Sequence, residues 1–374
     1  MVLSCLGLEA AIRIWKRDVA FQPDPQLIRS LRADVTRKIY AYDSPEVLQS
    51  LRPAAAPAYL GMDYTNNVAL RMQADVNPAA RDERRILFLG DSFVEAEQVP
   101  DEQRFYALAQ RALDERRDGG RRWRILNAGI QNGAPSQYLL QLRKYLAEFR
   151  PAVVLAFIAP NDAADDFNFE NRFGFDVDAQ GMPVRPRARA RLWLLQKWWT
   201  LRYVDVAAQA RFPWLYDRLW PEQLSGQEHP DWWSMLCGDA PGERAWFSEK
   251  TARYIRELQR LSAASGARFG VFLIQYMWTF PDEPFFEPAS PMVKQNMEKR
   301  GCLRTGGQPY REFMHQFLDG AHIPYWDPYD AMLAAKQAAP REKLWNFYDY
   351  HFSPAGHRLV AAEVIKFLGH GFVE

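Results

Sequence analysis

Apolar residues in this chain concentrate in five short runs, at residues 84–89, 123–128, 153–158, 268–274 and 323–326. Runs this short, bounded by polar segments, read as buried strands. Between them the spacing changes. Apolar positions recur every three or four residues at 105–116, 136–149, 251–264 and 310–318, which predicts helices. A last helix is predicted at 354–368, with Ser353 as its cap and Pro354 at its first position. Ser136 is the expected cap of the helix it opens. Strands alternating with helices predict an α/β fold whose parallel sheet is covered on both faces. Right-handed crossovers then bring every strand's carboxyl end to one edge. Ser92, the loop 129–133 and Asn161 each fall just past such an end, so they are expected on one rim.

The pattern also divides the chain. Residues 17–82 are rich in Pro, Ala and Arg and show only short helical patterns, at 25–32 and 45–51. They read as an N-terminal extension wrapped on a main domain spanning 83–374. Between the third and fourth strands lies a long insertion, 167–248. It holds eight of the 13 tryptophans: Trp193, Trp198, Trp199, Trp214, Trp220, Trp232, Trp233 and Trp246. A connection of that length forms a subdomain or serves a function. Arg185, Arg187, Arg189 and Arg191 lead into Leu192-Trp193-Leu194-Leu195-Gln196-Lys197-Trp198-Trp199. Cations beside Trp and Leu suit a membrane interface, and Trp faces suit sugar rings. The simplest expectation is a subdomain core rich in aromatics.

Composition narrows the class. The 47 basic and 46 acidic residues nearly cancel, and no long basic run occurs, which argues against nucleic acid as a partner. The three cysteines, Cys5, Cys237 and Cys302, form no CxxC pair, so no zinc site is expected. Cys237 and Cys302 as a disulfide or as two thiols both remain open. No apolar stretch is long enough to be a complete transmembrane helix. Residues 1–16 read as the remnant of an N-terminal membrane anchor, with an ordinary amphipathic helix as the alternative. A lipoprotein reading, Val2-Leu3-Ser4 before Cys5, is weaker because no hydrophobic region precedes it.

Gly90-Asp91-Ser92-Phe93 directly follows the first apolar run and presents one serine at a strand's end. A hydroxyl is a poor nucleophile at neutral pH and needs a base within reach, itself oriented by a third group. His351 is the candidate base, and Asp349, two residues earlier, is the candidate orienting acid. Donors for a developing oxyanion are the Ser92 and Gly133 N–H groups and the Asn161 side-chain amide. Asp162, Asp165 and Asp166 beside Asn161 read as carboxylates favoured at a helix start, not as a metal site. His357 is expected to anchor the closing helix. His229, His315, His322 and His370 read as surface or filler.

These blocks resemble the SGNH, or GDSL-type, hydrolase superfamily. The resemblance covers 84–162 and 249–370. It rests on Gly90-Asp91-Ser92-Phe93, on the block from Asn127 to Gly133, on Asn161-Asp162, and on Asp349-Tyr350-His351 with Gly356-His357 following. It implies a flavodoxin-like three-layer α/β/α sandwich with a five-stranded parallel sheet, here interrupted by the Trp-rich insertion. It further implies an ester-cleaving or acyl-transferring activity and no cofactor. By resemblance Ser92 is the nucleophile, Asp349 and His351 complete the triad, and Gly133 and Asn161 complete the oxyanion hole. Three features depart from the pattern. Pro160 replaces the usual glycine before Asn161, the second block is one residue longer, which leaves Gly129 as the other candidate glycine, and the final Asp–His spacing is two. The expected protein is a serine esterase of the bacterial cell envelope, acting on acyl esters of a carbohydrate or lipid. An O-acyltransferase onto polysaccharide and an inactive glycan-binding module are the alternatives.

Overall fold

The structure is a computed structural model. It describes residues 9–12, 21–24, 27–31, 36–40, 59–115, 117–118, 121–173, 175–187, 189–198, 200–201, 204, 211, 247–280, 308–346 and 351–373. The expectations placed on Cys5, Cys237, Cys302 and Asp349 lie outside these residues. So do the helical pattern at 45–51 and six of the eight insertion tryptophans, Trp193 and Trp198 being the exceptions.

Among its described residues the N-terminal extension contains four strands: β1 (Phe21–Asp24), β2 (Ile28–Leu31), β3 (Thr36–Tyr40) and β4 (Tyr59–Tyr64). β1 pairs antiparallel with β2, and β3 with β4. Within the helical pattern expected at 25–32, Ile28–Leu31 is therefore a strand instead. A run of five residues alternates about as well as it repeats helically, and a partner strand four residues away decides the matter.

The main sheet follows the predicted runs closely. Its strands are β5 (Glu83–Leu89), β7 (Arg121–Asn127), β8 (Val153–Ile158), β11 (Arg268–Leu273) and β12 (Tyr325–Trp326). All five are parallel, in the order β12-β11-β8-β5-β7. A two-residue strand, β6 (Arg117–Asp118), adds antiparallel to the β7 edge. β8 is buried along its whole length, from Val153 to Ile158. Each such side chain contributes about 1.5–3 kcal/mol on burial. A central parallel strand apolar on both sides needs a helix layer on each face.

Those layers are present. Helices α1 (Ser92–Glu95), α2 (Phe105–Asp114), α3 (Pro135–Phe149), α4 (Asp162–Phe173), α5 (Arg189–Lys197), α6 (Ala252–Ala264), α7 (Gln308–Gly320), α8 (Tyr329–Ala338) and α9 (Pro354–Gly369) follow in chain order. α2 packs with α9, and α3 with α6. The result is an α/β three-layer sandwich with a flavodoxin-like strand order. Ser353 caps α9 as expected, its hydroxyl accepting from the Ala355 and Gly356 N–H groups at 3.2 Å each. Ser136 does not cap α3. Pro135 occupies the first helical position, Ala134 becomes the cap, and the Ser136 N–H donates instead to Asp166 Oδ1 at 2.8 Å. The insertion begins with a hairpin, β9 (Phe175–Val177) with β10 (Pro183–Pro186), followed by α5. The aromatic core expected there does not hold for Trp193 and Trp198, which stand exposed. Among the described residues, no helix is long and apolar enough to cross a membrane.

Candidate active site

The chain leaves β5 toward β7 on one side, while β8 continues toward β11 on the other. Between β5 and β8 the connections part, and the crevice they leave at the strands' carboxyl ends is where such sheets hold ligands. Ser92 follows β5 and Asn161 follows β8, so the two stand on either side of this crevice.

The turn into Ser92 requires glycine. A Cβ on Gly90 would lie 2.2 Å from Val94 Cγ2, so the strand reverses into α1 by close approach of the backbone. Asp91 then caps the helix, its Oδ1 accepting from the Phe93 N–H at 2.9 Å. Ser92 sits at the first position of α1, where a backbone N–H has no intrahelical acceptor. Its side chain is half-buried, and its Oγ lies 2.7 Å from His351 Nε2.

His351 reaches this point from a loop tied at both ends. The Ser353 N–H donates to Leu344 O at 3.0 Å, and the Asn346 N–H to His351 O at 2.8 Å. Trp345 and Phe352 form a bridge across it. The Trp345 indole N–H donates to Gln275 O at 3.0 Å, which fastens the loop to the end of β11. Gly356 makes the packing feasible, since a Cβ there would meet Leu344 O at 2.0 Å. The His351 ring rests 4.6 Å from the Phe93 ring, tilted by 38°. Phe93 also stacks on Tyr276 at 5.0 Å and meets Phe352 edge-on at 4.9 Å. The residue after the serine is thus the platform for the histidine, a role its position in the motif did not reveal.

Asn161 is held at both ends of its amide. Its Oδ1 accepts from the Tyr276 hydroxyl, and its Nδ2 donates to Asp165 Oδ2 at 2.7 Å. Tyr276 was not foreseen. Its signal was positional: it lies just beyond the apolar run of β11. Gly133 lies beside the end of β5, close enough that a Cβ on it would be 3.1 Å from Gly90 O. Its N–H donates to Ile130 O at 2.8 Å and so is engaged within its own turn. Gly129, the alternative, packs on the backbone of Val94 and Glu95, and its N–H goes to Asn127 Oδ1 at 3.0 Å.

At the far end of α1 from Ser92 lies a fully buried ion pair, Arg71 with Glu95. Glu95 belongs to α1, and its other oxygen accepts the Gln131 N–H at 2.5 Å. The Arg71 N–H donates to Asn127 O at 3.0 Å, and the Asn127 side chain donates to Val94 O at 2.9 Å. One network therefore joins the stretch before β5, the helix of Ser92 and the loop of Gly133.

The site is rich in buried carboxyls. Burial pushes Asp91 up to about 6, against the opposing pull of the Phe93 N–H, His351 and Asn161. Asp162 is also pushed up, by burial first and then by the Asp91 charge. Its Oδ2 accepts from the Ala159 N–H at 2.9 Å, and its Oδ1 lies 3.2 Å from the Tyr138 hydroxyl. Burial raises Asp166 to about 7, although Ser136 and Thr251 hydrogen bonds oppose it. Asp162 thus bonds within the turn after β8, and Asp166 bonds across to Ser136 and Thr251. His357 is buried and pushed down to about 3 by burial, then by Arg104 and His351. Its Nδ1 accepts from the Phe105 N–H at 3.3 Å, so it anchors α9 to α2 as the sequence suggests. His315, read as filler, lies 2.9 Å from Asp327 Oδ2, which also accepts from Arg311 at 2.8 Å. Asp327 follows β12, on the same rim as Ser92.

No family model matches the chain, and no curated protein matches it. Among solved structures, the acetyl xylan esterase AlAXEase is similar at 14% identity and a TM-score of 0.40, over 75% of this chain and 98% of its own. TesA is similar at 15% identity and a TM-score of 0.38, over 76% of this chain and 98% of its own. A lipase/acylhydrolase from Enterococcus faecalis is similar at 14% identity and a TM-score of 0.38, over 76% of this chain and 95% of its own. Likenesses at this level carry no functional argument, which rests instead on the site's own geometry.

Proposed function

We propose that this protein is a serine-dependent ester hydrolase acting through an acyl-enzyme, of the SGNH type that its motifs resemble. The observation that carries the reading is the 2.7 Å contact between Ser92 Oγ and His351 Nε2, set on the rim between β5 and β8. In this reading Ser92 attacks the ester carbonyl carbon as its proton passes to His351 Nε2. The oxyanion that forms is held by the Ser92 N–H and by the Asn161 Nδ2 hydrogen, each worth about 3 kcal/mol to the transition state. Gly133 joins them by sharing its hydrogen with Ile130. His351 then returns the proton to the departing alkoxide, which leaves as the alcohol. Water, deprotonated by the same imidazole, cleaves the acyl-enzyme and restores Ser92. Asp349 completes the proposal as the acid that orients the imidazole.

The proposed substrates are O-acyl esters of an envelope carbohydrate or lipid, with no cofactor, and the proposed setting is the bacterial cell envelope, with attachment through the N-terminal segment. A fluorophosphonate probe tests the core of this reading. It should label the intact protein at Ser92, and Ser92→Ala should abolish both labelling and turnover of a nitrophenyl acetate. A folded wild-type protein that takes no label would sink it.

A further inference from the structure

Every large hydrophobic side chain that stands exposed among the described residues lies between 177 and 204. Trp193 is 49% exposed, Leu194 43%, Trp198 41%, Leu201 39% and Val204 61%. Scattered exposed hydrophobics need no explanation, but a concentration of this kind does. Leu194, Trp198 and Leu201 are spaced by four and three residues, which is one helical face. The Trp198 N–H donates to Leu194 O at 3.0 Å, so the helical turn of α5 carries on to Trp198.

The charge on the same stretch has one sign. No Asp or Glu occurs between Asp178 and Asp205, while Arg185, Arg187, Arg189, Arg191, Lys197 and Arg202 do. Arg185, Arg187 and Lys197 are exposed, and Arg185 and Arg187 lie against the one carboxylate of Asp176. The stretch is also fastened to the fold. α5 packs on β1, and Thr200 donates to Glu9 Oε2 from both its N–H, at 2.8 Å, and its hydroxyl, at 2.9 Å.

We propose that the surface carrying Trp193, Leu194, Trp198, Leu201 and Val204 docks on an anionic lipid bilayer. Trp193, Leu194 and Trp198 enter the boundary between headgroups and acyl chains, and the flanking cations meet lipid phosphates. A second copy of the chain fits less well, because its symmetric contact would set this cationic stretch against itself. A neutral sugar would use the Trp faces but neither Leu194, Leu201 and Val204 nor the charge. The proposal does not depend on the hydrolase reading.

The test uses the full chain and sedimentation with vesicles of phosphatidylcholine, alone or mixed with phosphatidylglycerol. Binding is expected to the mixed vesicles, weakened by salt, with a blue shift of tryptophan emission. Trp193→Ser/Trp198→Ser should abolish the shift and weaken binding at least tenfold. Arg191→Gln/Lys197→Gln should weaken binding to the mixed vesicles roughly thirtyfold. Unchanged melting curves for both variants would show that the fold is kept. No binding by wild type, equal binding to neutral vesicles, or binding unaffected by either variant would overturn the proposal. So would a dimer in solution that the Trp variant dissolves while vesicle binding stays absent.

Discussion

The Phe93 ring lies 4.6 Å from the His351 ring, although the two residues are far apart in sequence. An imidazole that accepts a proton from Ser92, as proposed, needs a fixed plane, and this contact supplies one. Phe93→Leu keeps most of the volume but loses the flat surface. It should lower kcat on a soluble ester about fivefold while leaving KM nearly unchanged, the loss of an aromatic pair being worth about 1 kcal/mol. Steady-state kinetics checks this. An unaltered kcat would mean that the loop 344–353 fixes the ring unaided.

The Tyr276 hydroxyl donates to Asn161 Oδ1, and Asn161 Nδ2 donates to Asp165 Oδ2 at 2.7 Å, so both ends of this amide are oriented. Tyr276→Phe removes the donor that fixes this amide. The expected loss in kcat is ten- to hundredfold, below the full worth of an oxyanion donor, about 3 kcal/mol, because Asp165 still holds Nδ2. Phosphonate labelling should slow in parallel. Labelling at the wild-type rate would remove Asn161 from the oxyanion role.

The sequence pattern located β5, β8 and β11 to within a residue because parallel strands buried on both faces are unbroken apolar runs. That Ser92, His351 and Asn161 come together on one rim was legible for a different reason: each follows a strand or lies in a short motif. Tyr276, Phe93 and the Arg71–Glu95 pair were not legible. Their roles come from contacts across the fold that no local period records. The hairpin at 21–31 was misread because so short a run fits both periods. Trp193 and Trp198 were expected inside because large aromatics usually are, and only coordinates show them outside.

Arg71 and Glu95 are both fully buried, so each charge depends on the other. Arg71→Met leaves a carboxylate inside the core with the Gln131 N–H, and it should cost about 3–5 kcal/mol in denaturant unfolding. Arg71→Met/Glu95→Leu removes both charges and should recover much of that loss. Because Glu95 ties α1 to the loop of Gly133, the double variant should still unfold cooperatively but turn over ester more slowly. Additive stability losses in the two single variants and the double would contradict the pairing.

Asp166 and His357 bend the pH dependence of stability in opposite directions. Asp166 keeps its proton in the fold up to about 7, whereas the unfolded carboxyl loses it near 3.8. Its contribution is complete below the lower value and fades as pH rises through the upper one, by about 1.4 kcal/mol per pH unit at most. His357 stays neutral in the fold down to about 3, whereas the unfolded imidazole charges near 6.5. Its contribution is complete above 6.5 and is lost as pH falls toward 3. Asp166→Asn cannot ionise, so its stability relative to wild type should rise between about pH 4 and pH 7. His357→Asn keeps an acceptor for the Phe105 N–H but loses the titration, so its deficit should widen between about pH 3 and pH 6.5. Urea unfolding of the three proteins across this range separates the two effects, because the two differences run with opposite slopes. Parallel curves for wild type and Asp166→Asn would mean that Asp166 ionises in the fold as readily as in the unfolded chain, and that Ser136 and Thr251 outweigh its burial.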